Sequence, residues 1–267
     1  VPHPATLGFS TLGCPGATTQ DIIRIADQSG CRAVELRAAD EEPFSVALGP
    51  AERRRIADEF RDAGIELISV ASYVRVADGT ISDEACLAGL RAHSALAHDL
   101  GAAAVRVFPG AAEPGPAADD RAIRRLRAAA PTSPVLLLLE THDSHRTARD
   151  VARVLKQVDH PSVGAIWDVL HTWLAGENPD ESAALLRPWL RLVQLKDVPG
   201  RHDRTPVLPG EGTVPLEEIL TALQTIGYHG QLSLELETRW HPGGPPLLDA
   251  LRHLRKLLTV LPADPGS

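Results

Sequence analysis

Eight times along this chain a short apolar, β-prone run is followed by an Ala-, Leu- and Arg-rich stretch, and that alternation constrains the fold more than any other feature. Strand-then-helix alternation is the pattern of a parallel sheet built from βαβ units. Strands are expected at Thr6–Ser10, Ala33–Arg37, Glu66–Ala71, Ala104–Phe108, Val135–Glu140, Val163–Trp167, Leu192–Lys196 and Leu232–Glu237. The first helix is expected to open at Thr18-Thr19-Gln20-Asp21. The others are expected over Pro50–Ala63, Ser82–Leu100, Ala117–Ala130, Ser144–Val158, Asp180–Leu190, Pro215–Ile226 and Leu247–Leu261. Gly30, Gly64, Gly101 and Gly227 each stand between a helix and the next strand, where a helix stop belongs. Eight units on a chain near the usual length of about 250 residues fit a closed (β/α)8 barrel, with residues 1–267 as a single domain. The alternative, an open doubly wound sheet, lacks its G-x-G-x-x-G after the first strand.

Composition narrows the roles open to such a barrel. The formal net charge is −8, so no global basic field draws in nucleic acid. The longest apolar run, Val135 to Leu139, falls far short of the roughly 20 residues of a membrane span and suits a buried strand. The opening Val1-Pro2-His3-Pro4-Ala5-Thr6 lacks the basic-then-apolar order of a signal peptide. Cys14, Cys31 and Cys86 are widely spaced and follow no zinc pattern. They read as free thiols, and the expected compartment is the cytoplasm.

In a barrel of this kind chemistry collects at the C-terminal strand ends. Those ends carry Glu35 and Arg37, Arg106, Glu140-Thr141-His142, Trp167-Asp168 with His171 close behind, Gln194-Leu195-Lys196-Asp197, and Glu235-Leu236-Glu237. Side chains alternate with period two, so Glu35/Arg37, Glu140/His142, Gln194/Lys196 and Glu235/Glu237 are same-side pairs. Glu140, Asp168, Gln194 and Glu235 would then form an oxygen-rich ring whose carboxylates repel unless a cation or protons intervene. Oxygen donors favour one Mg²⁺ or Mn²⁺ over a thiolate zinc site. The plain structural alternative at each position is a solvated charge or a pair to a nearby arginine.

The ordered set Leu139-Glu140-Thr141-His142-Asp143, Trp167-Asp168-Val169-Leu170-His171, Gln194-Leu195-Lys196-Asp197, Pro209-Gly210-Glu211-Gly212 and Leu234-Glu235-Leu236-Glu237, followed by Trp240-His241-Pro242, resembles the xylose isomerase-like TIM barrels. This is the sugar phosphate isomerase/epimerase superfamily. The resemblance implies one divalent metal held by Glu140, Asp168, the Gln194 position and Glu235. The family usually has histidine where this chain has Gln194. A glutamine oxygen still suits Mg²⁺ or Mn²⁺ but is weaker than imidazole for softer Co²⁺ or Zn²⁺. The resemblance also makes His171 a substrate-hydroxyl contact and a homo-oligomer an expected assembly.

The implied activity is isomerisation or epimerisation of a sugar or polyol ketone through an enediolate, with Glu140 and Glu235 as the proton-transfer pair. The alternative is dehydration of a cyclic keto-polyol of the 3-dehydroshikimate or inosose type. Relatives with that activity share a Glu-x-His and x-x-Lys arrangement, here His142 and Lys196. A lysine in such a pocket is expected to have a lowered pKa and to serve as acid or base, or else to sit in a salt bridge. A third reading is a metal-poor, non-catalytic carbohydrate-binding barrel. The superfamily's DNA-repair branch needs a histidine-rich multinuclear zinc site, which the scattered histidines and acidic charge disfavour. Arg37 and Arg106 are expected to bind a substrate carboxylate or phosphate, or to neutralise Glu35 and its neighbours. Glu237 joins the substrate contacts. Arg204, with Arg201 and His202, lies in a loop able to close over the substrate. Trp240 and Phe9 are candidates for an apolar wall, or for core.

Overall fold

The computed structural model describes residues 6–260. The call on the N-terminal leader, apart from Thr6, and the final residue of the last expected helix, Leu261, lie outside them. Eight parallel strands close in sequence order, with β1 hydrogen-bonded to β8. They are β1 (Thr6–Ser10), β2 (Ala33–Arg37), β3 (Glu66–Arg75), β4 (Ala104–Phe108), β5 (Leu136–Glu140), β6 (Val163–Asp168), β7 (Leu190–Leu195) and β8 (Gln231–Leu234). The helices are α1 (Thr19–Ser29), α2 (Pro50–Asp62), α3 (Asp83–Leu100), α4 (Pro116–Ala129), α5 (Ala148–Val158), α6 (Val169–Leu174), α7 (Pro179–Leu186), α8 (Leu216–Thr225) and α9 (Leu247–Val260). The chain is therefore a (β/α)8 TIM barrel.

Local chemistry starts and stops these helices where the sequence placed the signals. Thr18 and Asp21 form a reciprocal capping box at α1, and Ser82 caps α3. Pro50, Pro116 and Pro179 stand at helix starts, where their missing N–H costs nothing.

Strand β3 runs on to Arg75 beyond the expected Ala71, β8 stops at Leu234 before the expected Glu237, and three helical segments depart from the expected pattern. Helix α5 begins at Ala148 rather than Ser144, because His142 and His145 exchange backbone hydrogen bonds across a tight turn in which Asp143 is left-handed (φ 46°). Between β6 and α7 the chain makes the short α6, capped by Asp168 itself, whose Oδ1 accepts from the Leu170 N–H. Helix α7 stops at Leu186 rather than Leu190, since Pro188 cannot continue a helix and restricts the residue before it.

The lumen is layered by the strand period. Ala33, Ile68, Ala104, Leu138, Ile166 and Leu192 fill an apolar layer. Two residues further along their strands, Glu35, Arg106, Glu140, Asp168 and Gln194 come up on the same side, all buried. A second, larger core lies between strands and helices and includes Phe9. Phe9 is thus core and not a cavity wall. The cysteines Cys14, Cys31 and Cys86 are free. Among the described residues no helix is long and apolar enough to cross a membrane.

Candidate active site

The polar layer at the barrel mouth is a connected network. A register shift between β2 and β3 sets Ser69 opposite Glu35, and Ser69 Oγ donates to Glu35 at 2.7 Å. Gln194 donates its amide hydrogens to Glu35 Oε1 (3.0 Å) and Glu235 Oε2 (2.7 Å). Carboxylates only accept, so the amide nitrogen faces them and the amide oxygen turns away. Lys196, just past β7, places Nζ 2.8 Å from Asp168 Oδ2, 2.6 Å from Glu235 Oε1 and 2.8 Å from Glu237 Oε1. Arg106 lies 3.3 Å from Glu140 and donates to the Ser72 carbonyl at 2.9 Å.

Above this network is a cavity of about 340 Å³. Glu140, His142 and Asp143 line it from the end of β5, Leu170 and His171 from α6, and Glu235, Glu237 and Trp240 from beyond β8. Tyr73, Arg75, Arg106 and Phe108 contribute from β3 and β4, Leu12 from beyond β1, and Arg204 from the loop after β7. His142 stacks against Phe108 (centroids 4.3 Å apart) and His171 (4.1 Å), and its Nδ1 lies 2.8 Å from Asp143 Oδ1. The Asp-x-x-His spacing puts His171 one turn up α6, with Nε2 3.7 Å from Asp168 Oδ2.

Burial and charge set the protonation of these groups. Burial raises Glu140 well above the usual carboxylate range, with Arg106 opposing. Burial also pushes Glu235 up to about 7, against the pull of Lys196. For Lys196 burial acts to lower the pKa, but Asp168, Glu235 and Glu237 outweigh it and raise the value well above that of a free lysine. The expectation of a lowered lysine pKa is therefore corrected: three carboxylates hold Lys196 charged. At Asp168 burial raises and Lys196 lowers, and the net is a fall. Burial drives His171 down to about 3, so it stays neutral.

Of the expected site residues, Glu140, His142, His171, Arg106, Arg204, Glu235 and Glu237 meet at one cavity. Asp168, Gln194 and Lys196 are buried in the network with them but do not line the cavity. Arg37 departs from its expected role. Its guanidinium is committed to the Tyr73 hydroxyl (2.7 Å), Glu41 (2.6 Å) and Glu42, and it braces Tyr73 and Trp240 from behind instead of facing the cavity or Glu35. Arg201 packs over Trp173 and donates to its carbonyl, and His202 is exposed.

The Pro209-Gly210-Glu211-Gly212 motif clips the β7 loop. Asp197 accepts from the backbone N–H groups of Val198, Gly210, Gly212 and Val214, and a Cβ on Gly212 would meet Asp197 Oδ1 at 2.1 Å. Tyr73, Arg75 and Phe108 were missed as cavity residues. Continuing the alternation of β3 through Ser72-Tyr73-Val74-Arg75 was the signal for the first two.

The four expected metal ligands can be tested on their own atoms. Glu140 Oε2, Asp168 Oδ2 and Gln194 Oε1 are each buried without a hydrogen-bond partner. Buried oxygens from three consecutive strands that find no donor suit a hard divalent cation, so these three fit one, while both oxygens of Glu235 are engaged by Lys196 and Gln194. The Lys196 ammonium, close to Asp168 Oδ2 and Glu235 but poorly directed for a hydrogen bond to Asp168, shares these oxygens. Glu140, His142 and His171 form a second grouping, with one ligand atom of each within 4.8 Å of the others.

Comparison with known proteins agrees with this fold. A family model described as xylose isomerase-like TIM barrel matches residues 23–257. The chain is 30% identical over 121 residues to a 3-dehydroshikimate dehydratase of Pseudomonas putida, covering 42% of this chain and 19% of that one. It is 30% identical over 117 residues to a fructoselysine 3-epimerase of Escherichia coli O157:H7, covering 44% of this chain and 42% of that one. The matches thus span less than half the length of these curated relatives. A Mycobacterium smegmatis xylose isomerase-like TIM barrel protein, solved in complex with magnesium, superposes with a TM-score of 0.73 at 20% identity over 97% of both chains.

Proposed function

The chain belongs to the xylose isomerase-like TIM barrel family, and from that premise we propose that it removes the proton beside the carbonyl of a small keto-polyol and expels a hydroxyl from the next carbon as water. The observation that carries this reading is that the cavity has two chemically different sides. On one side Glu235 and Glu237 both contact the charged Lys196. On the other, His142 lies beside Asp143 and is stacked on the neutral His171 beside Glu140. A two-glutamate proton exchange needs no further proton donor, whereas an elimination needs a base for carbon and a separate proton donor for the leaving hydroxyl.

In this reading Glu235 takes the carbon-bound proton, and the C–H electron pair becomes the new carbon–carbon double bond as the neighbouring C–O bond breaks. His142 gives a proton to the departing hydroxyl, with the Asp143 carboxylate 2.8 Å from its Nδ1. Lys196 stays protonated, orients Glu235 and offsets negative charge as it develops. Glu140, Asp168, Gln194 and Glu235 would hold the divalent cation, Mg²⁺ or Mn²⁺ by their oxygen chemistry, which supplies Lewis-acid polarisation of the carbonyl when bound. The reading takes the 267 residues as one barrel domain.

A second reading, isomerisation or epimerisation, is favoured by Glu140 and Glu235 lining one cavity from β5 and from beyond β8. The test supplies the metal-stripped chain with Mg²⁺ or Mn²⁺. It offers 3-dehydroshikimate and, separately, fructoselysine and simple ketoses in deuterated water. Water loss should appear as a conjugated ultraviolet chromophore, reduced about 10³-fold in Glu235→Gln. Deuterium entering a ketose without water loss would move the conclusion to an epimerase. Neither reaction would sink both readings and leave a binding barrel.

A further inference from the structure

His142 faces the cavity, but the contacts that fix its backbone lie outside it. His142 and His145 exchange backbone hydrogen bonds, from His142 N to His145 O at 3.2 Å and from His145 N to His142 O at 2.9 Å. Asp143 makes the turn between them with φ 46°. Moving either histidine alone would break both bonds, so the two backbones shift together.

The His145 ring is anchored away from the cavity, against α4. Its side chain is 1% exposed, its Nε2 lies 2.9 Å from Asp119 Oδ1, and its Nδ1 lies 2.9 Å from Ser144 Oγ. A carboxylate only accepts, so Nε2 donates to Asp119 and Nδ1 meets the Ser144 hydroxyl. Ser144 Oγ accepts in turn from the Ala111 N–H at 3.2 Å. From α5, Arg153 holds Asp119 through Nε, 2.6 Å from Oδ2, and Nη2, 3.1 Å from Oδ1. Burial would raise the Asp119 carboxyl, but its bonds to Arg153 and His145 outweigh that and keep it below the usual carboxylate range.

These contacts also reach a neighbour of the His142 ring. Ala111 stands three residues beyond Phe108, whose ring lies 4.3 Å from that of His142. Tying Ala111 to Ser144 therefore joins the loop after β4 to the turn after β5, and so joins the two chain segments that carry these stacked rings. Serine, histidine and aspartate also make nucleophilic triads. Here the hydroxyl oxygen already accepts from Ala111 and Arg153 compensates Asp119, so the arrangement is built to hold a turn.

We propose that Asp119 and His145 are positioning residues for His142: anchored on α4 and α5, they set where its imidazole stands in the cavity. Neither lines the cavity. The proposal rests on the functional reading above for the part His142 plays, and it extends the machinery to a pair that touches no substrate. A shift of about 1 Å in a reacting group can cost about 10²-fold in rate, so a brace at this distance has kinetic weight.

The test uses the full chain and two readouts. The first needs no turnover. In ¹H–¹³C spectra the ring protons of His142 and His171 lie in the ring currents of Phe108 and of each other. Asp119→Ala should move them toward the position of the exposed His202. Asp119→Asn keeps an oxygen for His145 and should leave them in place. The second readout is turnover of 3-dehydroshikimate with Mg²⁺ supplied. Asp119→Ala should lower kcat about 10- to 100-fold with KM changed less than about 3-fold, and Asp119→Asn should stay within about 3-fold of the parent. If Asp119→Ala loses its cooperative melt, Ser144→Ala takes its place. It unties His145 from Ala111, leaves Asp119 paired, and should move the same ring signals. Ring signals that stay in place in the folded variant, equal losses in Asp119→Ala and Asp119→Asn, or a raised KM with kcat intact would each overturn the proposal. Where the parent does not turn over 3-dehydroshikimate, the ring signals alone decide, so the reaction can fail while the brace stands.

Discussion

Lys196 and a divalent cation would claim the same oxygens. Its ammonium lies 2.8 Å from Asp168 Oδ2 and 2.6 Å from Glu235 Oε1, while Glu140 Oε2 and Gln194 Oε1 are without hydrogen-bond partners. A like charge this close to a metal position opposes loading. Lys196→Met should therefore bind Mg²⁺ about 10-fold or more tightly, roughly 1.4 kcal/mol, by calorimetry. The same variant should melt earlier than the parent in EDTA, because the buried carboxylates then face one another uncompensated. Unchanged affinity would show that the ammonium and the cation do not share these oxygens. The strand-end position made Lys196 visible in the sequence, but the direction of its pKa was not legible there. That direction depends on three carboxylates brought from β6 and from beyond β8.

At the scale of elements, the loop after β7 determines where Arg204 stands. Its base is tied by Asp197, which accepts four backbone N–H groups from Val198, Gly210, Gly212 and Val214. Asp197→Ala would leave those donors unpaired, at a cost of about 2–4 kcal/mol in chemical denaturation. The variant should speed amide exchange through residues 198–214 and raise KM for the substrate more than it lowers kcat. Unaltered exchange in the loop would show that the clip does not hold it. The glycine pair around Glu211 was visible as a motif, yet its purpose was not, because Asp197 reaches Gly212 only after the loop has turned back on the strand end. Helix boundaries failed for related reasons. Residues 144–147 have acceptable helix chemistry, but His145 is drawn inward to Asp119 of α4 at 2.9 Å and keeps the turn open.

For the whole molecule, buried titratable groups at the mouth make stability depend on pH with two opposing signs. His171 is held down to about 3 against an ordinary 6.5. Between those values the unfolded chain binds more protons, so this contribution is full above 6.5 and is lost as pH falls. Glu235 is raised to about 7 from an ordinary 4.5. Here the folded state holds the extra proton, so this contribution is present below 4.5 and lost as pH rises through 7. Single-variant differences separate the two in metal-free denaturation curves. The stability margin of the parent over His171→Asn should shrink as pH falls from 6.5 toward 3, and its margin over Glu235→Gln should shrink as pH rises from 4.5 to 7. Margins that stay flat with pH would show that burial at the mouth does not govern these groups.

The sequence by itself determined the barrel and the strand ends where its polar layer sits. Periods of two and 3.6, capping residues and helix-stopping glycines are local signals, and eight strand–helix units in a row leave few other closures. Tertiary structure decided how those polar groups are used. Strand curvature and register brought Lys196 onto Asp168 and Glu235, turned Gln194 toward two carboxylates, withdrew Arg37 behind Tyr73 and extended β3 so that Arg75 reached the cavity. Each of these outcomes depends on the distance, direction and burial of residues far apart in the chain, and those set Coulomb and hydrogen-bond energies.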